Sequence, residues 1–421
     1  MKKFPVSQSW IVWSCGALGF FYAFFQRVAP SVMVTDLMRD FGVSAAVLGN
    51  LSAFYFYSYA AMQIPVGIMA DSWGPRRVMA GAGLLCAAGS LLLASADTLV
   101  VAYAGRLLIG CGSGFFFVST LKLVSVWFDS RRFAFVSGMT MFVGLTGGVG
   151  GQAPLAAAVE AFGWRGTMFA GAAVALALSL ACWLLVRDHP DQPGTPVTAP
   201  ALTLSQVLFG LAAALRRRQT WLLAGLGACM SASLLAFGSL WGVPYMMKIY
   251  DLSRPVAAGS VSLLLVGWAV SAPLLGWISD RVGRRKLPLI LAALTALGSI
   301  SLLIYGPAVS LPVADMLLFV NGASSSGMVV CFALARENNA AHTAGGAVAI
   351  VNMGVMLSGA LLQPAIGWVL DLQWQGVMKA GARVYDVPAY ETAFLFLIGA
   401  SIVSVLISLM VRETYCRPVG S

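Results

Sequence analysis

The chain has 421 residues, of which 59% are hydrophobic and only 10% are charged. Soluble domains carry about 25% charged residues, so this composition excludes a soluble globular protein and predicts an all-α polytopic membrane protein. The formal net charge of +10 does not require a nucleic acid partner, because the positive charges follow the predicted membrane topology.

Apolar runs recur along the whole chain, and each is long enough to cross a hydrocarbon core of about 30 Å. They predict twelve transmembrane helices, which lie at residues 10–36, 45–70, 78–95, 99–127, 134–158, 166–187, 220–248, 255–279, 287–306, 312–335, 345–371 and 390–411. With these spans, most of the 26 Lys and Arg residues fall on the side that holds the N-terminus. Because positive charge collects on the cytoplasmic side, we predict a multi-pass protein of the cell inner membrane with both termini in the cytoplasm.

The sixth and seventh predicted helices are separated by a long polar connection. Residues 188–203 are rich in proline and cannot be helical throughout. Residues 204–215 are apolar and precede three arginines, which indicates either a helix on the cytoplasmic membrane surface or a plain tether. The predicted domains are an N-terminal six-helix bundle at 1–187, a linker at 188–219 and a C-terminal six-helix bundle at 220–421.

Two similar polar phrases connect neighbouring helices in the two halves. One runs from Gly67 to Arg77 and the other from Gly276 to Lys286, and they match at their Gly, Asp, Gly and Arg positions. Asp71 and Asp280 are placed to hold neighbouring arginines or to face a helix N-terminus in the opposite half. Ordinary cytoplasmic loops would explain the arginines but not the repeated aspartates and glycines, so the chain is predicted to contain two copies of one membrane unit.

This doubled phrase resembles the signature loop of the major facilitator superfamily, and Arg106 with its spaced glycines resembles the family's fourth-helix pattern. The resemblance implies two six-helix bundles related by pseudo-twofold symmetry, which give alternating access to a central site. It also implies that the loops lock the cytoplasmic side while that site faces outward. Ser72 and Pro75 stand where the family often has basic residues, so the first loop is predicted to lock more weakly. The gating candidates are Asp71, Arg76, Arg77, Asp280, Arg281 and Arg285.

The predicted spans carry positive charge but no carboxylate at mid-depth. Arg27, Arg106 and Lys122 lie within spans, and a charge inside a membrane is costly enough to indicate a functional site. The interior therefore suits an anionic substrate. Arg27 resembles the first-helix arginine of the organic-anion and organophosphate branch of the family, which implies direct substrate contact. The alternative is a structural pairing with a backbone carbonyl or with Asp36.

Other polar and aromatic residues within the spans are candidates for completing the site. Lys122 would guide substrate release or extend to the membrane interface, whereas Arg106 belongs to the glycine-spaced pattern and is predicted to be structural. Each of the remaining candidates would either contact substrate or pack between helices. These candidates are Tyr22, Gln26, Tyr55, Tyr59, Trp241, Asn321, Asn352 and Gln363.

Together these features predict a secondary active transporter that imports a small organic anion bearing a carboxylate or phosphate. Proton coupling, which would use Asp36, Asp315 or a proton carried by the substrate, is left open beside facilitated diffusion and anion exchange. The alternatives are a polycarboxylate siderophore transporter and, with less support, a multidrug or metabolite exporter, which would normally offer a buried acid. An enzyme is not expected, because the only histidines are His189 and His342 and no Cys/His spacing suits a metal. We expect a monomer in the lipid bilayer with no cofactor, no metal and no nucleic acid partner.

Overall fold

The computed structural model describes residues 6–189, 204–307 and 309–417, and almost all of these residues are helical. The first half contains eight α-helices, with a short 3₁₀ turn at Ala29–Val32 after the first. They are α1 (Val6–Val28), α2 (Val34–Phe41), α3 (Ala45–Met62), α4 (Pro65–Trp73), α5 (Pro75–Ala94), α6 (Leu99–Trp127), α7 (Ser130–Gly150) and α8 (Ala153–Leu185).

The second half repeats this helical arrangement after a connecting helix. Its helices are α9 (Leu204–Leu215), α10 (Arg218–Ala232), α11 (Gly242–Tyr250), α12 (Arg254–Val282), α13 (Lys286–Tyr305), α14 (Leu311–Ser325), α15 (Met328–Glu337), α16 (Ala341–Leu372) and α17 (Val387–Met410). A π-helical segment, Ser233–Trp241, joins α10 to α11. A two-residue antiparallel pair, β1 (Met378–Lys379) with β2 (Ala382–Arg383), lies in the loop before α17 and was not predicted from the sequence.

The predicted polytopic helical class is confirmed, but the count of twelve spans is not. Within the described ranges, ten helical stretches are long and apolar enough to cross a membrane. The predicted span at 45–70 is divided between α3 and α4, which begins with Pro65. The predicted span at 134–158 is broken between Gly150 and Ala153, so that only a shorter apolar helix precedes the break. At Gly163, inside α8, the backbone has φ 69°, and the two helical pieces of α8 meet at this kink.

The two ends of the molecule are called here the terminal face, where α1 begins and α17 ends, and the distal face, where α1 ends and α17 begins. The halves approach each other closely near the distal face, where α3 crosses α16. A Cβ atom on Gly49 would come within 2.5 Å of the Gln363 carbonyl, and one on Gly367 within 2.3 Å of the Ala45 carbonyl. Because no larger side chain fits at these two glycines, they set the separation between α3 and α16.

Candidate functional site

Arg27 lies near the end of α1 and is surrounded by aromatic rings. Its side chain is buried, and its Cζ atom lies 4.3 Å from the ring centre of Phe24, 5.1 Å from that of Tyr59 and 5.9 Å from that of Tyr55. These distances suit cation–π attraction. The Nε donor has no hydrogen-bond partner within the described residues. The arginine is therefore held in place by rings and keeps a free donor, as a binding group would.

The two tyrosines beside Arg27 come from α3, in the same half. Tyr55 and Tyr59 are one helical turn apart, and their rings stack with centres 5.9 Å apart. The Tyr55 hydroxyl donates a hydrogen bond to the Ala23 carbonyl at 2.9 Å, which fixes its ring against α1. The structure thus brings together Arg27, Tyr55 and Tyr59, three of the residues that the sequence singles out.

Tyr22 and Gln26 lie on a different face of α1. The Gln26 amide lies 2.6 Å from the Tyr22 hydroxyl and 3.2 Å from that of Ser90 on α5, and the Tyr22 and Ser90 hydroxyls are 2.8 Å apart. This network packs α1 against α5 inside the first half. In this conformation Tyr22 and Gln26 therefore do not surround Arg27, and a substrate contact for either residue stays a prediction.

The other two basic residues within the predicted spans are engaged in different ways. Arg106 is buried and donates from Nη1 to the Gln26 carbonyl at 3.0 Å and from Nη2 to the Ser52 carbonyl at 3.3 Å. Lys122 forms an ion pair with Asp71, which is half-exposed near the end of α4. Lys122 thus contacts the first loop phrase, and Arg106 ties three helices together.

Among the candidates from the second half, only Asn352 lies between Tyr59 and the terminal face. Its amide donates to Gln63 Oε1 at 2.7 Å, and Gln63 follows Tyr59 by one helical turn. Trp241 Nε1 donates to the Gln363 carbonyl at 2.9 Å, where α3 and α16 cross. Gln363 Nε2 donates to the Leu235 carbonyl at 2.7 Å.

Asn321 is directed away from the boundary between the halves. Its amide donates to the Ala296 carbonyl and to the Ser299 hydroxyl, each at 3.1 Å, and both residues belong to α13. The placement favours helix packing inside the second half, and a role in substrate binding stays a prediction.

The first loop phrase is anchored within its own half. Besides the Asp71 pair, the Arg76 backbone N–H donates to Asp188 at 2.7 Å, and Arg76 Nε donates to the Trp183 carbonyl at 2.8 Å. Arg77 is exposed. The predicted contact of Asp71 with a helix N-terminus in the opposite half does not form in this conformation.

The second loop phrase is centred on Arg285. Its Nη1 donates to Asp280 at 2.6 Å and its Nη2 to Glu337 at 2.7 Å. Burial disfavours the charge, but these two carboxylates outweigh it and raise the pKa of Arg285. Arg281 instead lies over the Trp277 ring, 5.3 Å from its centre. The second phrase is thus held by more carboxylates than the first.

Two carboxylates that the sequence analysis did not single out cap corresponding helices in the two halves. Asp188 follows α8 and accepts from the Arg76 N–H at the start of α5. Glu413 follows α17 and accepts from the N–H groups of Arg285 at 2.8 Å and Lys286 at 2.9 Å, at the start of α13. A repeated triplet, Val-Arg-Asp at 186–188 and Val-Arg-Glu at 411–413, is the signal that would have revealed them.

The proton-coupling candidates lie near the distal face. Asp36 accepts from Arg254 Nη1 at 2.7 Å, which is an ion pair between the halves. Asp315, in the second turn of α14, has a buried Oδ1 atom with no hydrogen-bond partner among the residues that the structure describes. The same described residues hold no cluster of three or more His, Cys, Asp or Glu that suits a metal ion.

Comparison with known proteins gives consistent results for sequence and for structure. The profile of the Major Facilitator Superfamily matches residues 16–363. A probable sulfoacetate transporter, SauU of Cupriavidus necator, is 27% identical over 65% of this chain and 66% of its own length. A putative tartrate transporter of Agrobacterium vitis is 24% identical over 94% of this chain and 91% of its own. The crystal structure of a bacterial homologue of the human lysosomal transporter Spinster, inward-facing and unoccupied, has a TM-score of 0.74 at 16% identity, covering 97% of this chain and 96% of that one.

Proposed function

The chain belongs to the major facilitator superfamily of membrane transporters, and from this premise we propose that it is a secondary transporter of small organic anions. The observation that carries the proposal is Arg27, a buried cation at an aromatic site with an unused Nε donor. A buried charge of this kind is costly unless a ligand compensates it. The names of two relatives, a sulfoacetate transporter and a tartrate transporter, support the same class of substrate.

The chemistry of the site favours a substrate that carries an oxyanion group at one end. A guanidinium group offers parallel N–H donors that match the oxygens of a carboxylate, sulfonate or phosphate. The faces of Phe24 and Tyr59 orient these donors without neutralising them. Gln63, one helical turn beyond Tyr59, and its partner Asn352 on α16 would hydrogen-bond an uncharged part of the substrate once their mutual contact opens.

Transport would proceed by rocking the two halves about this site. The contacts between Asp36 and Arg254 and between α3 and α16 support a state that is closed at the distal face. If the termini are cytoplasmic, as the charge distribution favours, this state is inward-facing. The two loop phrases lie on the terminal face, where they would close the opposite, outward-facing state with Asp71, Arg76, Arg77, Asp280, Arg281 and Arg285.

We assign the direction as import across the cell inner membrane, with proton coupling by Asp36 or Asp315 as the mechanism to test first. Asp36 forms an ion pair with Arg254 that must break when the halves separate at the distal face, and Asp315 offers an unpartnered oxygen. A citrate-type polycarboxylate siderophore is the second candidate substrate, because Arg27 is not paired with any carboxylate among the residues that the structure describes.

Uptake into proteoliposomes tests the proposal. Purified protein is reconstituted and offered labelled sulfoacetate, tartrate, citrate and a lipophilic cation, with and without an inward pH gradient. We expect uptake of at least one anion and a loss of about tenfold or more in kcat/KM in Arg27→Gln, because a charge-assisted contact is removed. Arg132→Gln, which changes an exposed arginine, is the matched control.

Two results would overturn this assignment. One is transport of the cation with none of the anions, and the other is an unchanged kcat/KM in Arg27→Gln. A pH gradient that leaves anion uptake unchanged would overturn proton coupling while leaving the substrate class intact.

A further inference from the structure

We infer that the junction between α9 and α10 binds the phosphate headgroup of an anionic phospholipid. Three consecutive arginines, Arg216, Arg217 and Arg218, occupy this junction, and all three are exposed. Together with Arg412, which lies beside them just after α17, they are called here the basic junction. The inference goes beyond the proposed transport function and is independent of it, because the basic junction lies on the terminal face, whereas Arg27 lies near the distal end of α1.

Hydrogen bonds fix the basic junction against the rest of the second half. Arg217 Nη1 donates to the Asn338 carbonyl at 2.7 Å, just after α15. Gln219 Oε1 accepts from the Arg412 backbone N–H at 3.2 Å, which joins the start of α10 to the end of α17. The preceding helix, α9, packs on α16. The arginines are therefore presented in a defined arrangement.

The charge of the basic junction is not neutralised by the protein. Arg216, Arg218 and Arg412 are exposed, and within the parts of the chain that the structure describes they form no ion pair. The two carboxylates that adjoin this surface in the chain, Glu337 and Glu413, are both engaged with the second loop phrase. The first turn of α10 contains no acidic residue, although the positive end of the helix dipole attracts negative charge. An anion from outside the chain would supply the missing charge.

The basic junction lies at the depth of the lipid headgroups. The helical stretch Arg218–Tyr250 is long and apolar enough to cross a membrane, so its first residue lies at a membrane edge. Trp221 follows by one helical turn, is 57% exposed and donates from its indole N–H to the Leu215 carbonyl at 2.8 Å. Tryptophan is enriched at the boundary between lipid and water. A phosphate that contacts Arg216 and Arg218 therefore lies in the headgroup layer.

The surface of the basic junction matches both parts of a phospholipid. Guanidinium groups bind phosphate oxygens through parallel N–H donors, and Arg216 and Arg218 offer two such groups. The exposed side chains of Trp221 and Leu215 offer an acyl chain an apolar surface beside them. A free phosphate ion would use only the first of these features. The headgroup should carry a net negative charge, because a choline group would bring a further cation to the arginines.

Native mass spectrometry of the purified full-length protein in detergent tests this site without any transport measurement. The protein is titrated with phosphatidylglycerol or with phosphatidylcholine of the same acyl chains, and the Kd of the first bound lipid is measured for each. We expect phosphatidylglycerol to bind about tenfold or more tightly, because its net charge is negative and two unpaired arginines lie near its phosphate. Inorganic phosphate at the same concentrations should not displace it, since the ion lacks an acyl chain.

Variants of exposed residues separate the site from a general effect of positive charge. Arg216→Gln and Arg218→Gln should each weaken phosphatidylglycerol binding about fivefold and leave phosphatidylcholine binding unchanged. Arg132→Gln is the matched control, because Arg132 is likewise an exposed arginine in the first turn of a helix at the terminal face, but belongs to the first half. Trp221→Ala should weaken the binding of both lipids alike, because the ring contacts the acyl chain.

Three results would overturn the inference. The first is an equal Kd for phosphatidylglycerol and phosphatidylcholine in the wild-type protein. The second is a loss of phosphatidylglycerol binding in Arg132→Gln as large as that in Arg218→Gln, which would indicate general attraction to a positive surface. The third is displacement of the lipid by inorganic phosphate at equal concentration, which would assign the arginines to a soluble anion.

Discussion

Asp371, in the last turn of α16, accepts hydrogen bonds from the first backbone N–H groups of α3 in the other half. The Ala45 N–H donates to Oδ1 at 3.1 Å, and the Ala46 N–H donates to Oδ2 at 2.9 Å. Tyr385 and Arg383 donate to the same carboxylate at 2.7 Å and 3.2 Å, which holds it in place. A negative charge at a helix N-terminus is stabilising, so this contact between the halves keeps the distal face closed.

Asp371→Asn is expected to open the distal face more often. The substitution keeps an acceptor but removes the charge, and a loss of about 1.4 kcal/mol would raise the open population about tenfold. The measurement is labelling by a membrane-impermeant thiol reagent in a variant without native cysteines that carries Ser31→Cys. Ser31 is buried beside the boundary between the halves, where its hydroxyl contacts Gln152.

The control for this prediction is Asp386→Asn. Asp386 also caps a helix, accepting from the Ala389 N–H at 3.0 Å, but it does so within its own half. Equal labelling of the thiol introduced by Ser31→Cys in the two variants would show that Asp371 does not hold the halves together.

The Glu413 cap at the terminal face should make stability depend on pH. Burial tends to raise the pKa of Glu413, but the backbone N–H groups of Arg285 and Lys286 outweigh it and lower that pKa below its usual 4.5. The stabilisation is therefore fully present above about pH 4.5 and is lost as pH falls through the lowered pKa. Glu413→Gln should lower the free energy of unfolding by about 1 kcal/mol at pH 7.

The measurement is Tm of the wild-type protein and of Glu413→Gln between pH 7 and pH 3. The difference between them should shrink toward zero at the acidic end. Glu160→Gln, which changes an exposed glutamate, should parallel the wild type throughout. A constant difference between wild type and Glu413→Gln at all pH values would contradict the electrostatic origin of the cap.

Much of the fold could be predicted from hydrophobic runs, because a span needs only length and apolar content. The predicted helix at 99–127 coincides with α6, and that at 287–306 is displaced by one residue from α13. The break after Gly150 was missed because hydropathy alone defined the span, although the flanking glycines, Gln152 and Pro154 are helix-breaking signals. The doubled loop predicted which helices of the first half match which helices of the second. The helix caps at Asp188 and Glu413, however, are signalled only by the repeated triplet at 186–188 and 411–413, which a hydropathy pattern does not reveal.

The site was predictable in part for a similar reason. A charge in an apolar run is visible in the sequence, so Arg27 could be found, and the turn-spaced tyrosines could be assigned to one face of α3. The sequence did not reveal in which direction the side chains next to Arg27 point. Gln26 is adjacent to Arg27 in the chain but points to α5, because consecutive helical residues are turned by about 100°. Gln63 was missed because its partner, Asn352, is in the other half.

The Tyr59 ring is expected to position Arg27 through its face and not through its hydroxyl. Tyr59→Ala should raise KM for the anion about fivefold to tenfold, because the ring that orients the guanidinium is removed. Tyr59→Phe keeps the ring and should retain KM within about twofold. Phe142→Ala changes an exposed ring and serves as the control for loss of an aromatic side chain. An equal rise in KM in Tyr59→Phe and Tyr59→Ala would assign the effect to the hydroxyl.

The hydrogen bond between Gln63 and Asn352 is expected to act as a thin gate between Arg27 and the terminal face. It joins α3 to α16 at 2.7 Å, one turn beyond Tyr59, so a substrate that moves between Arg27 and that face must separate the two amides. Gln63→Ala and Asn352→Ala should each raise labelling of a single cysteine introduced at Met62, by about threefold to tenfold. Because both substitutions break one contact, the double variant should be no more accessible than either single one. Additive increases in the double variant would show that the two amides act separately, and the gate would then have to be sought elsewhere on α3.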